Sequence, residues 1–541
     1  MAWPTTAAAQ QEAPIADRSA ASSVRPPQRC ERILWCGDRD QGPALAKRFG
    51  YTGVQLGRGG DPAPLRELGL GFYLDQPIGK GLLELRDEAW RPIAAAYEAT
   101  RDAAALIRPT CFAEPGAVAS AAAAAADEVR RVAGPGLSFV ALADEASATR
   151  HNNPLDTCRC AHCLAAFRAH VEQRLSTLDA VNAALGTQFE ALDRVVPLTT
   201  DQIRRRELGD RNLPADLRAF GLWLEFVDEQ FAAAVHTIAA RAAAAAPSVP
   251  VGLTGLQPPS AFGGHDYSLL VPALTLAEPY EIGGAVALAR SLLPAAAHRA
   301  VTLFPTEASA LGGARLGDLV RAQLAAAACD GVAAVVVWND ATIAANGAPT
   351  PFGRAVASAF ESVGPALDAL AGATVESSSV WLLESQPSVR AWWMLDSAND
   401  GLTWVRRLSS YERAHSTSQA ARRGWLSLLQ DLGLEPRFVG ERDLPERLLR
   451  ERPRCVVLPA TIALSDRTAQ VLEVYVQNGG HLLADHSAGL YDATLLRRIA
   501  IAMPDCDFLL VGDDSAGVAA ALHGLAHVEF TGEVGYGELP S

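Results

Sequence analysis

Phe139-Val140-Ala141-Leu142-Ala143-Asp144-Glu145 is an apolar run that stops abruptly on two acids. Its length suits a strand buried on both faces, and its end suits a strand whose tip carries chemistry. Similar short runs flank it. Strands are expected at Arg32–Gly37, Gly53–Leu56, Gly71–Asp75 and Ser138–Asp144, then at Val249–Thr254, Leu274–Pro279, Ala300–Pro305 and Gly331–Trp338. Helical patterns separate them, at Pro43–Phe49, Ala117–Val132, Leu217–Ala246 and Leu316–Ala328. Eight strand–helix pairs in this order predict a closed (β/α)8 TIM barrel over residues 31–372. The connection between the fourth and fifth strands is about 100 residues long, and a connection of that size usually helps to build a site.

A second alternation follows. Strands are expected at Ser379–Glu384, Arg437–Val439, Cys455–Leu458, His481–Ala484 and Phe508–Val511, with helices at Gln419–Leu432, Asp466–Asn478 and Thr494–Ala502. Asn478-Gly479-Gly480 is a helix stop leading straight into a strand. A smaller doubly wound α/β domain over 373–541, flavodoxin- or glutamine-amidotransferase-like, fits this pattern. Residues 1–30 mix Ala, Gln, Pro and Ser without periodicity and predict a disordered tail.

Composition limits the function classes. The 541 residues carry 47 Lys and Arg against 61 Asp and Glu, a net charge of −14. That balance disfavours nucleic acid and anionic membrane as partners. No apolar stretch reaches the ~18 residues of a membrane span. The tail lacks a basic segment followed by an apolar one, so a secretory leader is not expected, and cytoplasmic residence is. Of nine cysteines, three fall within six residues: Cys158, Cys160 and Cys163. This is metal-ligand rather than disulfide spacing, and thiolates so placed can share one tetrahedral Zn2+. Cys111 and His162 compete for the fourth place. A closed four-ligand site would be structural, and no organic cofactor is expected.

In a barrel of this kind the strand C-termini face the site. The fourth strand ends on Glu145, and the seventh ends Phe304-Pro305-Thr306-Glu307. Two carboxyls facing one cleft is what glycoside hydrolysis requires. Weaker candidates lie at the other strand ends: Asp75 in Asp75-Gln76-Pro77, Gln257 with His265, Asp266 and Tyr267, Glu278-Pro279-Tyr280-Glu281, and Trp338-Asn339-Asp340. Trp338 could floor a sugar site. Trp392, Trp393 and Trp404 could roof a carbohydrate cleft, form an interface or pack in a core. Gly57-Arg58-Gly59-Gly60 lacks the Lys-Ser/Thr of a phosphate loop.

Asp144-Glu145, the Cys158-x-Cys160-x-x-Cys163 cluster and Leu164-Ala165-Ala166-Phe167-Arg168 together resemble glycoside hydrolase family 42, the β-galactosidase-like enzymes. The likeness continues through Thr177-Leu178-Asp179-Ala180-Val181-Asn182-Ala183-Ala184-Leu185-Gly186-Thr187-Gln188-Phe189 and Phe304-Pro305-Thr306-Glu307. It reaches into the second domain at Val380-Trp381-Leu382-Leu383 and Tyr475 to Leu483, which resembles the family's trimerisation domain. The resemblance implies a retaining exo-glycosidase working by double displacement on an oligosaccharide or glycoside, with Glu145 as general acid/base and Glu307 as nucleophile. Asp144 then falls beside the sugar, and the strand-end candidates Tyr280, Trp338, Asp75 and Gln257 are expected to bind substrate with it. Cys111, Cys158, Cys160 and Cys163 would hold a structural zinc, and the chain would form homotrimers. Two departures stand out. Asp144 replaces the family's Asn, and ionised it can accept but not donate a hydrogen bond. It should also repel Glu145 and raise its pKa. Little sequence follows the second domain, leaving scant room for a C-terminal β-domain. Asp144 brings in another sugar (mannoside, arabinoside or uronide) or a non-catalytic carbohydrate-binding barrel as alternatives.

Overall fold

The computed structural model describes residues 24–37, 40–209, 213–305, 314–407, 416–498 and 508–510. Eight parallel strands close into a barrel in sequence order: β1 (Glu31–Leu34), β2 (Gly53–Gly57), β3 (Gly71–Asp75), β4 (Leu137–Asp144), β5 (Val251–Leu256), β6 (Leu276–Pro279), β7 (His298–Leu303) and β8 (Ala334–Val337). β8 pairs back onto β1, with Ile33 opposite Val336, and closes the ring. The strands are rich in Val, Leu and Ala because both faces are buried. Ile33, Tyr73, Phe139, Ala141, Leu276, Ala300, Ala334 and Val336 fill the barrel interior, and Tyr73 stacks on Phe139 with ring centroids 4.7 Å apart.

A small hairpin, β9 (Ala344–Ala345) and β10 (Ala348–Pro349), precedes the second sheet. That sheet contains β11 (Val380–Glu384), β12 (Arg437–Gly440), β13 (Cys455–Leu458), β14 (His481–Asp485) and β15 (Phe508–Leu510). All are parallel, in the order β12-β11-β13-β14-β15, which is the flavodoxin-like doubly wound order. Both expected sheets are therefore present.

Two expectations need correction, and the open reading of the tryptophans is decided. The end of the expected tail is anchored: Val24 and Cys30 are buried, and Arg25 accepts a hydrogen bond from His298 through its carbonyl, while Arg25, Pro26, Gln28 and Arg29 stay exposed. The helix expected at Thr494–Ala502 is absent over its described residues. Asp492 Oδ1 instead accepts from the Thr494 and Leu496 amides, a side-chain turn that competes with a helix, and Leu496 bridges to Asp216. The tryptophans turn inward. Trp393 and Trp404 are buried where the second unit meets the barrel, Trp393 lying 4.7 Å from Phe262 and 5.7 Å from Phe220. Trp392 is half-buried and donates to the Ala460 carbonyl at 2.7 Å.

The long β4–β5 connection supplies part of that contact. Its 28-residue helix Arg218–Ala245 buries Phe220, Trp223, Phe231 and Asp228. Asp228 pairs with Arg390 of the second unit at 2.5 Å, both almost wholly buried. Asp201 accepts from Tyr97 at 2.9 Å and from Trp404 Nε1 at 2.5 Å, and Arg204 donates to the Ser397 carbonyl at 2.8 Å. Within the connection, the segment from Thr177 to Phe189 is a capped helix and a pinned turn. Thr177 caps the helix Leu178–Leu185, Gly186 ends it, and Asn182 clamps the Phe189 backbone with bonds of 2.7 and 2.9 Å.

Candidate active site

Strand alternation selects the side chains that reach the top of the barrel. Two residues beyond the inward-packing positions come Trp35, Asp75, Glu278, Thr302 and Trp338. The alternation slips on β4 and β5, whose register shifts between Ala141 and Asp144. Gly255 is the cause: its φ of +57° is left-handed, and a Cβ there would lie 2.4 Å from Asp144 Oδ1 and 3.0 Å from the Glu145 amide nitrogen. Only glycine lets β5 approach the β4 tip this closely. After this bulge Leu256 points outward into the main core, so Gln257 is turned inward. Gln257 is fully buried, and neither end of its amide has a hydrogen-bond partner.

Glu145 sits in the left-handed region, φ +58°, immediately after β4. A non-glycine residue held there is strained, as is common where a side chain must be aimed. Tyr280, at the end of β6, donates its hydroxyl to Glu145 Oε1 at 3.0 Å. His151 Nδ1 lies 3.2 Å from Oε2. His151 is itself set by His265: His265 Nε2 is 3.1 Å from the His151 carbonyl, a contact that requires the proton on Nε2. Burial drives the His265 pKa down to about 4, so the ring is neutral.

The surrounding carboxyls titrate high. Burial, then the charge of Asp144, pushes Asp75 up to about 7, although Gln55 donates to its Oδ2 at 2.9 Å. Burial, then Glu145, pushes Asp144 up to about 6. Glu278 rises to about 8 through burial, while accepting from the Gly255 amide at 2.5 Å. Glu145 goes the other way. Burial opposes its charge, but His151, the Tyr280 hydroxyl and Lys80 outweigh burial and hold it below the ordinary carboxylate value. The repulsion expected to raise Glu145 therefore falls on Asp144, the partner without donors. Lys80 also pairs with Glu84 at 2.9 Å.

Aromatic rings continue the wall from β6 round to β1. Tyr280 lies 5.8 Å from Phe304, Phe304 6.4 Å from Trp338, and Trp338 4.1 Å from Trp35. Of the sequence candidates, Asp75, Asp144, Glu145, Gln257, Glu278, Tyr280 and Trp338 thus gather at one end of the barrel. Asp266 and Asp340 have structural work instead: Asp266 caps a helical turn through the Ser268 amide at 3.0 Å, and Asp340 accepts from the Gly37 amide at 3.1 Å. Glu307 lies outside the described residues. Lys80, Glu84, His151 and Gln55 belong to the site and were missed; each is a lone polar residue in a loop or strand with no spacing signal.

The four cysteines form a separate centre. Their sulfurs all lie within 4.8 Å of one another, with Cys111 and Cys163 3.0 Å apart. A tetrahedron with metal–sulfur bonds of ~2.3 Å has sulfurs about 3.8 Å apart, so one ion fits with a small opening of that pair. The donor chemistry fits as well. Backbone amides of Arg108, Ala113 and Cys163 donate to Cys158, Cys111 and Cys160 at 3.3, 3.3 and 3.4 Å, which favours thiolates. Cys160 is also the N-cap of the helix Ala161–Leu175, so one turn of helix brings Cys163 back to it. His162 is exposed and stands outside the set. The Arg108 side chain, lying 4.4 Å over the Phe112 ring, donates to the Gly81 and Leu82 carbonyls at 3.3 and 2.6 Å. The cysteine centre is thereby tied to the β3 loop that carries Lys80 and Glu84.

No described helix is long and apolar enough to cross a membrane. No protein-family model matches the chain, and no curated protein matches it in sequence. Solved structures do match. A cold-adapted β-galactosidase from Rahnella sp. R3 superposes with a TM-score of 0.62 at 16% identity, covering 92% of this chain and 76% of that one. A GH42 β-galactosidase from G. stearothermophilus gives 0.60 at 13% identity, covering 88% and 75%. A GH42 exo-carrageenase from Bacteroides ovatus gives 0.56 at 10% identity, covering 92% and 68%. At these identities the likeness is one of architecture, and the chain has the fold of the glycoside hydrolase family 42 β-galactosidases.

Proposed function

We propose that the chain is a retaining, exo-acting glycoside hydrolase, β-galactosidase-like in mechanism, with Glu145 as general acid/base and Glu307 as nucleophile. The observation that carries this reading is Glu145: a carboxylate at the end of β4, strained into the left-handed region and held by Tyr280 and His151 beside an aromatic wall. In the free site Glu145 is ionised. A bound sugar excludes water and adds to the desolvation that already opposes that charge, which moves the carboxyl toward its protonated, acid form. Glu307 would then attack the anomeric carbon, water would release the glycosyl-enzyme with Glu145 as base, and the two carboxyls would stand ~5–5.5 Å apart. Trp338 and Trp35 offer an apolar sugar face a ring to stack on.

The same reading assigns a structural Zn2+ to Cys111, Cys158, Cys160 and Cys163, which would brace the loops around the site without an open position for substrate. It divides the chain at about residue 372 into barrel and trimerisation-like domain, and it makes the protein a cytoplasmic homotrimer; sedimentation would give the assembly. The deciding experiment is hydrolysis of an aryl α- and β-glycoside panel by the wild type, Glu145→Ala and Glu307→Ala. Cleavage lost in Glu307→Ala and restored by azide with inverted anomeric product supports the reading. Full activity in Glu307→Ala overturns the nucleophile, and full activity in Glu145→Ala overturns the acid/base.

A further inference from the structure

The barrel top holds more acid than one glycosidic cleavage uses. Asp75 on β3, Asp144 and Glu145 on β4 and Glu278 on β6 lie close enough to feel one another's charge, with Glu84 on the β3 loop beside them. Against them stand Lys80, already paired with Glu84, and His151, already against Glu145. Tyr73 and Tyr280 add no positive charge, and their hydroxyls are kept neutral by burial first and these acids second. Asp75 is only 3% exposed, yet its Oδ1 has no partner. Gln257, turned inward by the Gly255 bulge, is fully buried with both ends of its amide unpartnered. Buried polar groups left this way are rare unless something else completes them.

A metal ion does not fit. Among the described residues, only the four cysteines bring three or more ligand atoms close enough to share one ion. The acids come from β3, β4 and β6 without bringing three oxygens together as an ion's ligands, whereas an organic cation can take them one or two at a time. We propose that the sugar bound beside Glu145 carries a protonated amine, as in a 2-amino-2-deoxyglycoside, with Asp144 and Asp75 accepting from the ammonium and Gln257 pairing with a neighbouring hydroxyl. This rests on the glycosidase reading for turnover, though not for binding. A neutral sugar adds to the burial that already favours the protonated forms of Asp75 and Asp144, whereas an ammonium sugar favours their carboxylates and draws off whatever protons they hold.

The test has two arms on the full chain. In the first, aryl 2-amino-2-deoxy-β-glucoside and -galactoside compete with their neutral and N-acetylated counterparts. The amino substrates should show at least about tenfold higher kcat/KM, as expected for a hydrogen bond between charged groups. Asp144→Asn and, independently, Asp75→Asn should erase that preference while remaining folded by denaturation midpoint. In the second arm, calorimetry with galactosamine, glucosamine and galactose in buffers of different ionisation enthalpy should show binding of the amines with proton release. Neutral substrates cleaved as well as the amines, or better, would overturn the cationic subsite and leave the glycosidase reading intact. Amine binding with no turnover of any substrate would support the subsite and remove the hydrolase. No amine binding would overturn the proposal outright.

Discussion

Gly255→Ala is the most telling single change in this barrel. The new methyl would lie 2.4 Å from Asp144 Oδ1, 3.0 Å from Glu145 Cγ and 3.0 Å from the Glu145 amide nitrogen. The carboxylate can swing away, but the backbone nitrogen cannot move without dragging β4. Holding alanine at φ +57° costs about 1–2 kcal/mol. Overpacking against Glu145 adds roughly 1–3 kcal/mol. A stiffer unfolded chain returns about 0.4–1 kcal/mol. The expected net loss is therefore about 1–5 kcal/mol, read as a lower urea midpoint for the full chain. Because the clash sits on the two acids, activity should fall by far more than the stability loss explains at 25 °C, where most molecules remain folded. An unfolding free energy within about 0.5 kcal/mol of wild type, together with unchanged kcat, would refute the argument that the β5 bulge aims the β4 tip.

Other expectations follow from the same geometry. Asp144 binds its proton more tightly folded than unfolded, so its contribution is fully present below pH ~4 and is lost as pH rises through about 6; Asp144→Asn should stabilise the fold at pH 8 relative to wild type and not at pH 4, and equal effects at both would refute the assignment. Tyr280→Phe removes a donor that helps to keep Glu145 ionised, so the pH at which Glu145 gains its proton should rise, and with Glu145 as general acid the alkaline limb of the kcat/KM pH profile should move up with it. Arg390→Met strands a buried carboxylate and should cost about 3–5 kcal/mol in a denaturant melt, while adding Asp228→Leu should recover most of that. Zinc analysis of the purified protein should find one ion per chain; chelation should lower the melting temperature and expose four additional thiols to a thiol reagent, and a metal-free protein of unchanged stability would contradict the structural role.

The sequence made some of this readable and hid the rest for physical reasons. The eight barrel strands are short runs bounded by turns, and burial on both faces writes that directly into composition. The cysteine cluster was equally legible, because ligand spacing follows from the geometry of one helical turn at Cys160–Cys163. The strand ends pointed to Asp75, Asp144, Glu145, Gln257, Tyr280 and Trp338, since position on a barrel strand decides which side chains reach the top. His151 and Lys80 were not legible: they arrive through loops whose paths depend on His265 and on Arg108, far away in sequence. The Asp144–Glu145 pair was read correctly as repulsive but with the wrong loser, because the groups that settle it, the Tyr280 hydroxyl and the His151 ring, come from elsewhere in the fold. The segment after Asp492 has helix-forming residues, yet its backbone is taken by Asp492 and by pairing with Asp216 and Tyr491.

The tryptophan-lined seam between barrel and second sheet bears on how the molecule is made. One continuous apolar cluster includes Phe220, Phe231 and Phe262 from the barrel side and Trp393, Trp404 and Trp425 from the second unit. During synthesis the barrel strands emerge first, but the surface carrying Phe220, Phe262 and the acid Asp228 stays bare until residues 386–404 follow. The barrel is thus incomplete until late in translation. An excised 24–372 fragment should aggregate or stay partly molten, limited proteolysis should yield no stable barrel core, and the two sheets should melt in one cooperative transition.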